Sequence, residues 1–145
     1  MLIRRPVDEV FEAFVNPEIT RRFWFTSASG PLETGKHVVW KWEMYGVSAD
    51  VRVKDVKKNS QIVVEWGDEV NGFTTVEWRF VPHDNATFVT ISEHGYRGSG
   101  DEVVAKAIDS MGGFSFVLAA AKAWLEHGIV LALVADHAPR EASGG

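Results

Sequence analysis

The sequence has 145 residues, of which 46% are hydrophobic and 24% charged, and its formal net charge is −5. This length and composition predict one globular domain with its own core, and the negative charge argues against a nucleic acid as partner. The absence of cysteine excludes disulfides, thiolate nucleophiles and cysteine-ligated metal centres.

The chain carries no segment that we expect to enter a membrane. Its longest uninterrupted apolar run, residues 129–135, falls short of the roughly 20 residues that a membrane-spanning helix needs. Residues 1–6 offer neither an apolar signal segment nor a small-residue cleavage site. We therefore expect a cytoplasmic protein whose single domain covers residues 1–138, followed by a flexible tail of small and polar residues at 139–145.

The first predicted element is a helix over residues 6–15. Pro6 suits the first turn of a helix, and Asp8 is an acid near the positive end of the helix dipole. Pro17 ends this helix, and residues 18–23 predict a second, shorter helical turn before Trp24. The apolar residues at helical spacing in the first helix are Val7, Val10, Phe11 and Phe14.

A change to alternating hydrophobicity between residues 36 and 94 predicts five strands. Short turn segments rich in Gly, Asn, Asp and Pro separate them, so we expect an antiparallel meander. Charges of both signs occupy the intervening positions, which indicates a solvent-exposed face. The apolar positions, strand by strand, are Val38, Trp40, Trp42 and Met44; Val47, Ala49, Val51 and Val53; Ile62, Val64 and Trp66; Val76, Trp78 and Phe80; and Val89 and Ile91.

The last predicted element is a long helix over residues 113–127 that ends at Gly128. A shorter helix capped by Asp101 precedes it, and the Gly112-Gly113 pair either separates the two helices or kinks one continuous helix. The apolar residues of the shorter helix are Val104, Ile108 and Met111, and those of the long helix include Phe114, Leu118 and Trp124.

The predicted core consists of the inner face of the sheet and the C-terminal helix that covers it. Several inward residues are tryptophans, and a buried indole N–H without an acceptor costs roughly 1 to 3 kcal/mol. A cavity that holds water or a ligand would supply acceptors, whereas in a solid core the rings simply fill the space. Both alternatives stay open at this point. The residues facing such a cavity are Trp40, Trp42, Trp66, Trp78, Phe80, Met111, Phe114 and Leu118.

Motifs that carry chemistry are few. The five histidines lie far apart in the sequence, so no metal site is predicted, and no phosphate loop or other cofactor motif occurs. Glu93 and His94 end the last strand of the meander beside the glycine-containing loop at residues 95–100. They are the candidate acid–base pair for catalysis, and an exposed pair without a catalytic role is the alternative.

The order of these elements resembles the START-like (SRPBCC, helix-grip) superfamily, and within it the homologues of the activator of heat-shock-protein ATPase. The segments that carry the resemblance are P-V-D-E-V-F-E-A-F at residues 6–14, Arg22-Phe23-Trp24, Gly35-Lys36 and Gly112-Gly113-Phe114. In that family a Gly-Trp motif opens the last helix, so Phe114 is a departure. Residues 1–5 are also short for the first strand of the family.

The resemblance implies an α+β helix-grip fold, in which a curved antiparallel sheet wraps around a long C-terminal helix. It also implies a hydrophobic cavity between the sheet and this helix, and it adds Trp24 to the candidate lining.

Three functions are compatible with these sequence features. The first is non-catalytic binding of a small hydrophobic or aromatic ligand in the cavity, without a cofactor. The second is an enzyme of the polyketide cyclase or hydrolase type that uses the same cavity, with Glu93 and His94 transferring protons. The third is a protein-interaction module that contacts a chaperone or a second copy of the chain, as a homodimer, through the outer sheet face or residues 129–134.

Overall fold

The computed structural model describes residues 1–70 and 72–137, except for the side chains of residues 105, 107, 108, 110 and 111. The predicted tail at residues 139–145 lies outside the described residues. The elements in chain order are β1 (Leu2–Ile3), α1 (Val7–Val15), α2 (Pro17–Thr20), β2 (Ser27–Ala28), β3 (His37–Trp42), a 3₁₀ helix (Glu43–Tyr45), β4 (Val47–Lys57), β5 (Gln61–Asp68), β6 (Gly72–His83), β7 (Ala86–His94), α3 (Gly100–His127) and α4 (Leu133–Asp136).

All seven strands belong to one antiparallel sheet in the order β1-β7-β6-β5-β4-β3-β2. Strands β3 to β6 each pair with the next strand along the chain, so the predicted five-stranded meander, β3 to β7, is confirmed. A register shift between Val53 and Asp55 interrupts the pairing of β4 with β5, and such bulges bend a strand. The predicted α+β helix-grip fold, with a curved sheet and a C-terminal helix, is therefore confirmed.

Strand β1 is only two residues long, yet it is fixed to both the sheet and the last helix. Leu2 pairs with Phe88 of β7, and the Leu2 carbonyl accepts a hydrogen bond from the Lys122 ammonium of α3 at 2.7 Å. The Arg4 N–H donates to the Glu126 carboxylate at 2.8 Å, and Lys122 pairs with the same carboxylate at 2.5 Å. These contacts join the edge of the sheet to the last turns of α3.

Helix α1 covers part of the inner face of the sheet, which corrects the prediction of a core built from the sheet and one helix. The Phe11 and Phe80 rings lie 5.3 Å apart in an edge-to-face contact, and Phe14 lies 5.9 Å from Phe80 and 6.4 Å from Trp78. The apolar stripe of α1 therefore packs directly on β6, because four of its residues are buried on one side.

Helix α3 is continuous over its 28 residues, so the alternative of two separate helices is wrong. The Gly112-Gly113 pair lowers helix propensity but keeps both backbone N–H donors, so the hydrogen-bond ladder continues through it. The N-cap is Ser99 and not Asp101, since the Ser99 hydroxyl accepts from the Glu102 N–H. The predicted end at Gly128 is confirmed, with a φ of 65° and an N–H donating to the Trp124 carbonyl at 2.8 Å.

Two further segments complete the fold. Met44, predicted in the first long strand, lies instead in the 3₁₀ helix, which ends at Gly46 with a φ of 62°. The sequence of residues 129–134 does not indicate an element; in the structure residues 129–132 are exposed and α4 begins at Leu133.

Within residues 1–70 and 72–137, no helix is both long enough and apolar enough to span a membrane.

Candidate functional site

The middle of the molecule is filled by aromatic rings that pack around Trp24. The Trp24 ring centre lies 4.9 Å from Trp40, 6.1 Å from Trp78 and 6.2 Å from Phe114. Trp24 is 7% exposed, Trp40 2% and Trp78 1%. Tilted and edge-to-face contacts at these distances are the favoured geometry of aromatic pairs. This part of the inner face is therefore solid, which agrees with the second alternative for the core.

A cavity of about 460 Å³ lies at one end of this aromatic cluster. It is bounded by the start of β4, the end of β5, the start of β6, the loop after β7 and the first half of α3. Its aromatic and aliphatic walls are formed by Trp42, Val47, Ala49 and Trp66. Phe73 borders the cavity at the start of β6, but its ring lies under the Arg52 guanidinium on the outer face of the sheet.

The polar lining of this cavity divides into two groups. Thr74 and Tyr96 are half-buried and lie on the wall beside Trp66. Arg97, Lys106 and Asp109 are exposed side chains, so they mark the mouth of the cavity.

The predicted ligand-binding residues separate into three sets in the structure. Trp42 and Trp66 line the large cavity, and Trp24, Trp66 and Phe114 line a second, smaller space of about 120 Å³. Leu118 is half-buried against the core, and the side chain of Met111 lies outside the described residues. The remaining predicted residues line neither space and are buried in the core: Trp40, Trp78 and Phe80.

Trp66 separates the two spaces and is held from both sides. Its ring stacks on Phe114 with centres 5.8 Å apart and an interplanar angle of 26°. Its indole N–H donates to the Glu93 carboxylate at 2.8 Å. The N–H of Trp78, in contrast, has no hydrogen-bond acceptor among the described residues.

Glu93 organises the wall of the large cavity. One carboxylate oxygen accepts hydrogen bonds from the Trp66 N–H and the Thr74 hydroxyl, and the other accepts from the Tyr96 hydroxyl at 2.7 Å. Each of these three donors lines the cavity. Glu93 pairs with Val76 in the sheet, so its side chain lies on the same inner face as that buried valine.

The structure does not bring Glu93 and His94 together as an acid–base pair. Successive residues of a strand point to opposite faces of the sheet, so His94 lies on the outer face, where it is exposed and pairs with Thr75. The carboxylate and the imidazole are thus separated by the sheet itself.

The rim of the large cavity depends on two glycines that face each other across β5 and β6. Gly67 has a φ of +149°, and a Cβ there would lie 2.1 Å from the Gly72 carbonyl oxygen. A Cβ at Gly72 would lie 3.1 Å from the Arg97 Nε, so the arginine side chain packs over this glycine. The Lys106 ammonium donates to the Arg97 carbonyl at 2.8 Å and joins the loop after β7 to α3.

The second space is closed on one side by the C-terminal segment. The Tyr45 hydroxyl donates to the Val134 carbonyl and, at 3.3 Å, to the Ala135 carbonyl. The His137 ring lies 5.0 Å from Phe116. Burial, together with the nearby Asp136 charge, raises the pKa of the Tyr45 hydroxyl above its usual value. The hydroxyl therefore keeps its proton and donates over a wide pH range.

Most residues that line the large cavity are not predicted from the sequence as site residues, and among them are Phe73, Thr74, Tyr96, Arg97, Lys106 and Asp109. Phe73 and Thr74 begin β6, where the hydrophobic pattern shows no clear alternation, and Tyr96 and Arg97 lie in the glycine-containing loop. Lys106 lies on the polar side of α3. The position of the loop at residues 95–100 after the last strand is visible in the sequence, but its neighbours follow only from the sheet register.

No cluster of three His, Asp or Glu side chains suited to a metal ion occurs among the described parts of the chain. The charged side chains of the large cavity are Glu93, which lies behind Trp66, and Arg97, Lys106 and Asp109, which lie at the mouth.

Comparison of the sequence with models of protein families identifies the family of this chain. Residues 4–126 match the family model described as activator of Hsp90 ATPase homolog 1-like protein. The chain belongs to this family. The predicted resemblance is thus confirmed over most of the sequence. A comparison with curated proteins gives no match.

Several solved structures are similar to this chain and share its fold. Protein SSP2350 from Staphylococcus saprophyticus has a TM-score of 0.77 at 29% identity, over 90% of this chain and 91% of that one. DynU16, from the dynemicin biosynthetic locus, has a TM-score of 0.78 at 22% identity, over 90% of this chain and 46% of that one. The Aha1 dimer from Colwellia psychrerythraea has a TM-score of 0.70 at 18% identity, over 88% and 93%.

Proposed function

We propose that this protein binds a small hydrophobic or aromatic molecule in the large cavity without transforming it. The observation that carries the proposal is the space of about 460 Å³ beside Trp42, Ala49 and Trp66. Binding sites for small molecules are typically concave, mostly apolar and of about 300 to 1,000 Å³.

The aromatic walls support the proposal because they are held in place before a ligand arrives. Trp66 is fixed by Phe114 on one face and by Glu93 at its N–H. Trp42 is 8% exposed and packs edge-to-face on Trp66, with ring centres 6.2 Å apart. A wall that is already ordered loses little conformational entropy when a ligand binds, and this raises affinity.

The arrangement of Glu93 favours binding over acid–base catalysis. Its carboxylate already accepts three hydrogen bonds from Trp66, Thr74 and Tyr96, and His94 lies on the other face of the sheet. A general base must reach the proton that it abstracts, and these three donors stand between Glu93 and the cavity. The cyclase-type enzyme, the chaperone contact and the homodimer all stay predictions.

The proposal is tested with N-phenylnaphthylamine, a neutral aromatic probe whose fluorescence rises in an apolar site. We expect saturable binding with one probe per chain at micromolar concentrations, accompanied by loss of tryptophan emission. Ala49 lies on the inner face of β4 and lines the cavity, so Ala49→Phe places a ring in the binding space. We expect this variant to weaken binding at least tenfold.

The matched control is Ala86→Phe, the same substitution at the far end of the sheet in the β6–β7 hairpin, where Ala86 pairs with His83. This variant should bind the probe as the wild type does. Unfolding midpoints of all three proteins establish that the fold is retained. Binding that is absent in the wild type, or equal in both variants, would contradict the proposal.

A further inference from the structure

We propose that the ligand of the large cavity carries an acidic group, which Arg97 and Lys106 hold at the mouth while its rings contact Trp42 and Trp66. This inference rests on the proposed function and adds the chemical class of the ligand.

The mouth carries an excess of positive charge. Arg97 and Lys106 line it together with a single carboxylate, that of Asp109. Among the ion pairs of the described residues, none includes the Arg97 guanidinium or the Lys106 ammonium. The nearby Arg52 differs, because Glu69 lies 3.6 Å from it and its guanidinium covers the Phe73 ring.

Each cation has a backbone contact that holds it near the cavity. The Lys106 ammonium donates one hydrogen bond to the Arg97 carbonyl, and two of its three N–H groups are left for another acceptor. The Arg97 side chain packs over the backbone of Gly72, where a side chain would collide with it. A planar guanidinium and an ammonium at the mouth of the same cavity suit an anionic group with two or more oxygen atoms.

The opposite wall carries the opposite charge, which sets the orientation of the ligand. Glu93 lies behind Trp66, Thr74 and Tyr96, so an acidic group placed at that wall would be repelled. An acid can therefore be accommodated only at the mouth, with its apolar part directed toward Trp66.

The whole chain has a net charge of −5, which by itself disfavours an anionic ligand. At physiological ionic strength, however, charges beyond about 8 Å are largely screened. The charges next to the bound group, Arg97, Lys106 and Asp109, therefore determine the preference.

The test compares two probes with the same rings: anilinonaphthalene sulfonate, which is anionic, and N-phenylnaphthylamine, which lacks the sulfonate. We expect the anionic probe to bind the wild type about fivefold more tightly, a ratio typical of exposed charge contacts. The double variant Arg97→Gln, Lys106→Gln should bring this ratio close to one, because it removes both cations from the mouth.

Two single variants serve as controls. Asp109→Asn removes the carboxylate at the mouth and should increase the preference for the anionic probe. Lys58→Gln removes a cation from the turn before β5, at the end of that strand away from the cavity, and should leave the preference unchanged. Near-ultraviolet circular dichroism of each variant establishes that the side chains stay packed.

Three outcomes are informative. A wild-type preference that the double variant abolishes and Asp109→Asn increases supports the inference. Tight binding of the neutral probe without any preference for the anion overturns the inference and leaves the proposed function standing. Failure of both probes to bind overturns the proposed function as well.

Discussion

At the scale of single residues, Glu93 connects three elements through one carboxylate. Its oxygens accept from Trp66 on β5, Thr74 on β6 and Tyr96 in the loop after β7. Hydrogen bonds to a charged acceptor are stronger than those between neutral groups. The side chain therefore acts as a positioning residue, because it fixes the orientation of the indole and the phenol that line the cavity.

Replacement of Glu93 by glutamine should lower the free energy of unfolding by about 1 to 2 kcal/mol, since a neutral amide replaces the charged acceptor and directs N–H groups at donors. The environment of Trp66 should change in parallel. Urea unfolding followed by tryptophan emission measures both effects.

The control is Glu77→Gln on the outer face of the same sheet. Glu77 pairs with the exposed Arg79 at 2.6 Å and accepts a hydrogen bond from the Gln61 amide at 2.8 Å. Ion pairs with an exposed partner contribute about 0 to 1 kcal/mol, and glutamine at this position can still accept from Gln61 through its carbonyl oxygen. We expect a smaller loss of stability and no change in emission for this variant. Equal losses in the two variants would show that the carboxylate of Glu93 has no special role in the wall.

At the scale of elements, helix α3 carries glycines in two different backbone conformations. Gly112 lies inside the helix, and a Cβ there would meet no atom within 4 Å. Gly128 ends the helix in the left-handed region with a φ of 65°. Alanine has a higher helix propensity than glycine, but it adopts the left-handed conformation only at a cost.

Gly112→Ala should therefore raise the free energy of unfolding by about 0.5 to 1 kcal/mol, because alanine reduces the conformational freedom of the unfolded chain and fits the helix. Gly128→Ala should lower it by about 1 kcal/mol, because of the strain in the left-handed region. Thermal unfolding of both variants provides the measurement, and each serves as the control for the other. Changes of the same sign would contradict this account of the helix.

At the scale of the whole molecule, the carboxylate of Glu126 joins the edge of the sheet to the end of α3. The side chain is 9% exposed. Burial raises the pKa of this carboxyl group, but the hydrogen bonds from the Arg4 N–H and the Lys122 ammonium outweigh it, so the pKa lies below its usual value. The ionised form is thus the one that stabilises the folded chain.

Because the pKa of Glu126 is lower in the folded state than in the unfolded state, its contribution to stability is present above the unfolded pKa. It is lost as the pH falls through the folded value. We expect Glu126→Gln to be less stable than the wild type at neutral pH and to lose less stability between pH about 6 and about 3. Urea midpoints across this range measure the difference, and parallel pH profiles of the two proteins would contradict the prediction.

The sequence by itself determined the local elements and, through them, the fold class. Alternating apolar residues in the meander and apolar residues at helical spacing in α1 and α3 are patterns that each segment carries alone. The continuity of α3 was not determined, because glycines in a helix interior weaken the helical pattern without ending the hydrogen-bond ladder.

Only the tertiary structure decided which aromatic residues form the core and which line a cavity. Trp78 and Phe80 alternate along β6 in the same way as Trp40 and Trp42 alternate along β3. Helix α1 nevertheless packs on Trp78 and Phe80, whereas Trp42 borders the large cavity. The partners of Glu93 likewise come from three elements that the register of the sheet brings together. Side-chain periodicity identifies the face on which a residue lies, but its neighbours depend on contacts between segments that are distant in the sequence.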